Sequence, residues 1–357
     1  MTFNILVVNP KDKMTQIAVF EDFTLLYINN RRHSAEELAQ FSSVYDQVDY
    51  RTDIVFKELE NNHFDTSKVK VVISRGGLIK PVHSGVFEVS EKLKHDLRNS
   101  PIGLDVINIG GLVADAVAAR IEGAMALIAD PAVVDEMQDV ARITGAPGIK
   151  RKSIFHALNQ KAVAKVYAES LKKDYNELNL IVAHMGNGTT VGAHCKGKVI
   201  DVNQGFEGDG PFSMIRCGSL PLGEVVSMCT DGKKTKEEAF ALLTHKGGIN
   251  AHLGTTNITE IETRIKNGDK EAALVFEAMA YQVSKSIGEM FVALKGEVDA
   301  ILLTGDLAHS EVVVNSIRDH VDKLGQVIVF AGDNETQAMA SNALRVIKGE
   351  IDISEYK

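Results

Sequence analysis

Two segments of this chain repeat each other at an offset of 175 residues, and that repeat restricts the fold more than any other feature. Residues 4–29 read NILVVNPKDKMTQIAVFEDFTLLYIN, and residues 179–203 read NLIVAHMGNGTTVGAHCKGKVIDVN. Each is a β-branched run, a polar turn, a second run, a short charged turn and a third run. That is the pattern of a three-stranded β-meander. Asn4 falls on Asn179, Thr15 on Thr190 and Ala18 on Ala193. Unrelated meanders share this pattern, so the match is either coincidence or a duplicated domain whose halves open alike. A length of 357 residues suits two domains.

Between and after the meanders the pattern is mixed α/β. Residues 34–61 predict helix, opened by Ser34 with Glu37 three positions on, a capping box. Residues 69–74 (VKVVIS) and 124–130 (AMALIAD) read as buried strands, and 110–123 and 133–143 as helices. Residues 152–173 predict a long amphipathic helix with Phe155, Leu158, Val163, Val166 and Leu171 on its apolar side. A glycine-rich loop spans 201–221. Helices are expected at 222–230, 235–244 and 270–295. A strand at 299–305, a helix at 308–324, a strand at 327–332 and a helix at 334–348 close the chain, with residues 349–357 frayed.

Composition excludes several functions. Apolar residues at 45% and charged residues at 24% are ordinary globular usage. A net charge of −9 argues against a broad grip on nucleic acid or an anionic membrane. Tryptophan is absent and aromatics are 6%, which leaves no base-stacking platform. Cys195, Cys217 and Cys229 form no CxxC pair, so the expected compartment is the reducing cytoplasm. The apolar run Ile5 to Val8 is too short for a signal segment. No run of 18 apolar residues exists to span a bilayer.

Five strand-to-turn junctions expose backbone N–H groups of the kind that bind phosphate: 9–15, 184–190, 205–218, 304–308 and 332–335. A single Gly-Asn-Gly turn is ordinarily just a hairpin. Five on a duplicated scaffold point to a nucleotide held between two halves. Arg75 and Arg216 adjoin glycines in loops, and guanidinium forks match carboxylate and phosphoryl oxygens. Both also read as surface arginines. His156 and His184 lie among apolar residues, as satisfied core histidines or as site residues. Asp130 ends a buried strand, where α/β proteins place working side chains or a cap.

The segments VISRGG, IADPAVVDEMQDVARITGAP, RKSIFHALNQK, VAHMGNG, GKVIDVN, EGDGPFS, KGGINAHLGT, AMAYQVSKSIG and LKGEVDAILLTGDLAH closely resemble the butyrate kinase branch of the acetate kinase family. The resemblance covers nearly the whole chain. It implies an α/β fold of two similar actin-like, ribonuclease H-like domains with a nucleotide and substrate cleft between them. It implies an N-terminal domain at 1–150 completed by the helix at 336–357, and a second domain at 151–335. The implied activity is reversible phosphoryl transfer from ATP to a short-chain carboxylate, giving an acyl phosphate and ADP with Mg²⁺. The implied assembly is a homodimer or larger homo-oligomer.

Residue by residue, Arg75 and Arg216 resemble the arginines that hold the carboxylate and the phosphoryl group. His184 resembles the histidine on the equatorial oxygens, and His156 the second active-site histidine. Asp130 resembles the aspartate that organises metal and substrate. Asn9, Gly186, Asn187, Gly188, Gly305 and Gly332 match nucleotide-binding positions. Glu335 sits where a magnesium-linked glutamate is found.

The chain departs from the family at four places. The first turn is Asn9-Pro10-Lys11-Asp12-Lys13-Met14-Thr15-Gln16 where the family has roughly Asn-Pro-Gly-Ser-Thr-Ser-Thr-Lys. Lys11 replaces a glycine, and Asp12 repels phosphate at short range unless a metal bridges them. Gly254-Thr255-Thr256-Asn257-Ile258-Thr259 stands for Gly-Thr-Ser-Asp-x-Arg. Thr304-Gly305-Asp306 stands for Thr-Gly-Gly. Asp105-Val106-Ile107-Asn108 stands for His-Ala-Ser-Asn. Two readings follow: a working carboxylate kinase with a reshaped nucleotide site, or a weak or inactive relative that binds a ligand or regulates.

Overall fold

The run of β-branched residues after Asn4 forms β1 (Asn4–Lys11), buried from Asn4 to Pro10. A strand covered on both faces is apolar throughout rather than alternating. It continues into β2 (Met14–Glu21) and β3 (Thr24–Arg32), which complete the expected first meander. The computed structural model describes residues 3–100, 102–103, 105–232 and 234–357. Next come α1 (Ala35–Ala39), α2 (Gln47–Asn61), β4 (Val69–Arg75), β5 (Val86–Glu88), α3 (Glu91–Arg98), α4 (Ile109–Ala118) and β6 (Met125–Ala129). The Ser34–Glu37 capping box is present.

The second stretch holds α5 (Asp139–Arg142), α6 (Ala157–Ser170), β7 (Asn179–Met185), β8 (Thr189–Cys195) and β9 (Lys198–Val202). It continues with α7 (Leu222–Thr230), α8 (Lys236–Thr244), α9 (Gly248–Leu253), α10 (Ile258–Lys266) and α11 (Lys270–Ala293). It ends with β10 (Ala300–Gly305), α12 (Glu311–Val321) and β11 (Val327–Ala331). α13 (Glu335–Ile347) and β12 (Ile353–Ser354) return to the first sheet. The chain divides into two compact units, Met1–Val134 with Asn334–Lys357, and Asp135–Asp333.

The two sheets share one plan. The first has the order β12-β5-β6-β4-β1-β2-β3 and the second β11-β10-β7-β8-β9. In each, an antiparallel meander is followed by two strands added in parallel beside its first strand, β4 and β6 or β10 and β11. In the second sheet, Ile181, Ala183 and Met185 of β7 pack into a core with α11, while Leu180 and Val182 pack on the other face with Val163, Ala164 and Tyr167 of α6. His184 continues the α6 face by the two-residue period of a strand.

Several expectations are corrected. Residues 34–61 are two helices separated by a 3₁₀ turn at Val44–Asp46. Only Asp139–Arg142 is helical within 133–143. The helix expected at 152–173 is α6, with Phe155 before its start, and Val166 and Leu171 are exposed. Its buried face carries Asn159, Gln160 and Lys161 beside the apolar residues. β5, α9 and α10 carry no strong signal of their own in the sequence. The tail is not frayed: β12 pairs with β5. Tyr356 is buried and donates its phenol proton to Asp96 Oδ2 at 2.7 Å.

Lys80 also reaches Asp96, at 2.9 Å, so the tail closes a charged cluster. Tyr356→Phe removes a hydrogen bond to a charged acceptor, a loss of about 1–3 kcal/mol. Chemical denaturation should show that loss; a variant as stable as the parent would mean the tail is not anchored there.

Candidate functional site

The two equivalent hairpin turns have diverged. In the second, β7 and β8 pair as far as Met185 and Thr189, leaving Gly186, Asn187 and Gly188 as an open three-residue loop. In the first, β1 and β2 pair one rung further, to Lys11 and Met14, so only Asp12 and Lys13 remain in the loop. Behind this turn stands Arg51 of α2, fully buried. It donates to the carbonyls of Lys11, Asp12 and Met14 at 2.8–3.2 Å and to Thr15 Oγ1 at 3.0 Å. Two further bonds go to Gln47 Oε1. Burial lowers this guanidinium to about 10. The Thr15 hydroxyl, an acceptor from Arg51, lies 2.8 Å from His33 Nε2. Burial, with Arg51 next in effect, lowers His33 to about 4.

Just past this turn, one cluster of the first unit gathers Asn9, Lys11, Arg75 and Glu335. Glu335 opens α13 and is buried. Its Oε1 accepts from Arg75 Nη1 at 3.0 Å, and its Oε2 accepts from Asn9 Nδ2 at 3.1 Å with the Lys11 ammonium at 3.6 Å. Arg75 also donates to the Pro10 carbonyl at 3.4 Å. Arg75 ends β4 opposite Ala129, so Asp130 follows at the end of the neighbouring strand. Asp130 is nearly buried, in the left-handed region at φ 36°. Asp tolerates that region better than most residues. Its Oδ1 accepts from Ser84 Oγ at 2.6 Å and Gly85 N at 3.0 Å.

In the second unit His156, His184 and Arg216 meet at the open turn. The imidazoles of His156 and His184 stack, with centroids 3.8 Å apart and planes 16° from parallel. His184 Nδ1 lies 2.8 Å from Asn159 Oδ1. Arg216 donates to the Gly205 carbonyl and the Thr244 carbonyl, and its guanidinium lies 5.3 Å from the Phe206 ring centroid. A Cβ at Gly188 would fall 2.3 Å from Arg216 Nη1 and 3.4 Å from His156 Cε1. A larger residue there would push the guanidinium from this position. The loop itself is tied down by Ser213 Oγ and Ile215 N on the Asn187 carbonyl. Gly305 and Gly332, at the ends of β10 and β11, exchange backbone hydrogen bonds at 3.2 and 3.0 Å. Asp306 stands exposed just beyond.

The chain is 42% identical over 357 residues to butyrate kinase 2 of Clostridium acetobutylicum, covering all of both chains. The chain belongs to the acetate kinase family. The Acetokinase family model matches residues 141–350. Butyrate kinase 1 of the same organism is also 42% identical, over 99% of this chain and all of its own. Among solved structures, Porphyromonas gingivalis acetate kinase gives a TM-score of 0.77 at 18% identity, over 97% of this chain and 100% of its own. A Francisella tularensis propionate kinase gives 0.76 at 16%, over 95% and 98%. That likeness gives this family member the two-domain actin-like fold, and no helix among the described residues is long and apolar enough to cross a membrane.

The two carboxylates matched to the family's metal positions differ in fitness for Mg²⁺. Mg²⁺ ordinarily takes one or two carboxylates, with water and phosphate oxygens completing its shell. At Asp130 one oxygen is held by Ser84 and Gly85, and the other carries no protein hydrogen bond among the described residues, which fits a single-carboxylate ligand. At Glu335 both oxygens already face cations, Arg75 and Lys11. A divalent ion there would have to displace two positive charges, so Glu335 does not fit.

Sequence reading passed over Arg51, Asn159, Gln160 and Thr190. The available signal was three polar residues in succession, Asn159-Gln160-Lys161, in a helix that needed an apolar face. Arg51 left no signal, because its partners are carbonyls of a distant turn.

The His33 shift sets a pH dependence. Folding holds the ring neutral, so the unfolded chain binds the proton first. Stability is complete above the unfolded value near 6.5, falls as pH drops toward about 4, and levels below it. Denaturation midpoints across that window should fall less steeply for His33→Asn than for the parent; equal slopes would contradict a buried neutral ring.

Proposed function

We propose that this family member transfers the γ-phosphoryl group of ATP reversibly to a short-chain carboxylate, giving an acyl phosphate and ADP. The observation that carries this reading is the stacked His156–His184 pair with Arg216 at the open Gly186–Gly188 turn, in a chain 42% identical end to end with two butyrate kinases. A butyrate-like acid is the proposed acceptor. Acids that differ by one methylene are separated by only about 1–3 kcal/mol in an apolar pocket.

The chemistry asks little of the protein beyond positioning and charge. One carboxylate oxygen attacks the γ-phosphorus while the bond from phosphorus to the ADP oxygen breaks. The nucleophile is already an anion, so no general base is needed. Charge spread over the equatorial oxygens is met by fixed donors, the larger part of such catalysis. In this proposal Arg75 holds the carboxylate, Arg216 the phosphoryl group, and His184 and His156 donate to its oxygens. Asn9, Gly186, Asn187, Gly188, Gly305 and Gly332 line the nucleotide. Mg²⁺ supplies neutralising charge on the phosphates, and Asp130 is the carboxylate that would hold it. Glu335 instead keeps Arg75 and Lys11 in place.

A second reading, a weak or inactive relative, is favoured by one observation: the first turn is paired shut and held from behind by Arg51. Protein incubated with ATP, Mg²⁺, butyrate and hydroxylamine should yield acyl hydroxamate. No product together with no ATP-dependent thermal shift would overturn the kinase reading. Arg216→Gln should lower kcat by about 100-fold or more, the usual scale for losing one charge-stabilising donor. If the triple substitution Lys11→Gly, Asp12→Ser, Met14→Ser is required before product forms, the second reading stands.

A further inference from the structure

A line of hydrogen bonds runs through the interior of the second unit and ends on His156. Tyr175 Oη lies 2.7 Å from His194 Nδ1, and His194 Nε2 lies 3.0 Å from Gln160 Oε1. Gln160 Nε2 reaches Thr190 O at 3.0 Å and Thr190 Oγ1 at 2.8 Å. Thr190 Oγ1 lies 2.8 Å from His156 Nδ1.

One group fixes the direction of every bond. The Thr190 carbonyl only accepts, so the Gln160 atom facing it is the amide nitrogen. That nitrogen's other proton goes to Thr190 Oγ1. Gln160 Oε1 therefore faces His194, whose Nε2 must carry a proton. His194 is fully buried, and burial, then the nearby Lys161 ammonium, push its pKa well below the ordinary value. Lys161 is paired with Glu136 at 2.9 Å. The His194 ring is thus neutral, and its Nδ1 accepts the Tyr175 proton. At the other end Thr190 Oγ1 accepts from Gln160 Nε2 and from the His156 backbone N–H at 3.5 Å, which occupies both lone pairs, so its own proton points to His156 Nδ1. Gly192 makes room for this line, since a Cβ there would meet Gln160 Oε1 at 2.6 Å.

We propose that Tyr175, His194, Gln160 and Thr190 are positioning residues that hold His156 as the neutral Nε2–H tautomer, a donor of fixed direction at the Gly186–Gly188 turn. Two groups beside His156 agree with a neutral ring. Arg216 stands across Gly188, and His184 covers one face; a proton on both stacked rings would place like charges 3.8 Å apart. The use of this donor in phosphoryl transfer rests on the carboxylate-kinase reading; the tautomer itself does not.

Nitrogen-15 NMR of the histidine side chains in the full-length protein tests this directly, with His156 assigned by loss of its signals in His156→Gln. Near neutral pH the parent should show a protonated Nε2 and an unprotonated Nδ1 at His156. Thr190→Val removes the donor to Nδ1 and should shift the tautomer ratio by about fivefold or more, the scale of one net hydrogen bond; Thr190→Ser should restore it. A parent spectrum with the proton on Nδ1, a charged His156, or no change in Thr190→Val would overturn the proposal. If Thr190→Val does not fold, the parent spectrum and Tyr175→Phe decide it, the latter by the same shift at smaller size. The hydroxamate assay reports on the kinase reading separately, so a failed reaction with the predicted spectrum leaves the relay standing.

Discussion

The parallel pairing of β4 against β1, and of β10 against β7, determines where this molecule can keep polar side chains. The first strand of each meander is buried on both faces, and a strand so enclosed tolerates polar groups only where they find partners. Those partners gather at the carboxyl ends. Asn9, Arg75 and Asp130 stand at the ends of β1, β4 and β6; His184, Gly305 and Gly332 stand at the ends of β7, β10 and β11. The family's chemistry inherits that constraint, since a phosphoryl group needs donors that are both fixed and away from bulk water.

The two halves also share an internal device. Thr15 and Thr190 occupy equivalent places on the second strand of each meander, and each hydroxyl accepts from a buried side chain and lies 2.8 Å from a histidine ring nitrogen. In the first unit the sequence is Arg51, Thr15, His33; in the second it is Gln160, Thr190, His156. The difference in donor explains the difference in turn. Arg51 has enough N–H groups to bind three turn carbonyls besides Thr15, and it draws the Lys11–Met14 hairpin closed. Gln160 spends its protons on Thr190, and the second turn is left open, lined by Arg216.

The repeat made the architecture readable. Spacing of β-branched runs gave both meanders to within about three residues, and the family resemblance named His156, His184 and Arg216 of the stacked-histidine site but not Asn159 or Gln160. What escaped was governed by long-range contact. Residues 349–357 read as a frayed terminus, yet Tyr356 reaches a buried Asp96 through 260 residues of chain separation. Lys11 stands where the family has a glycine, and Glu335 holds it in an ion pair that its position in the sequence does not reveal. Asn159 and Gln160 were passed over because a helical pattern marks apolar residues, while their partners, His184 for one and Thr190 with His194 for the other, lie on strands.

On the proposed reading the open Gly186–Gly188 turn faces the nucleotide phosphates and the paired Lys11–Met14 turn does not. Amide hydrogen exchange, with and without ATP and Mg²⁺, compares them in a single experiment. The account predicts that Gly186, Asn187 and Gly188 gain protection on nucleotide addition while Asp12 and Lys13 do not change. Protection gained at Asp12 and Lys13, with none at Gly186 to Gly188, would contradict it.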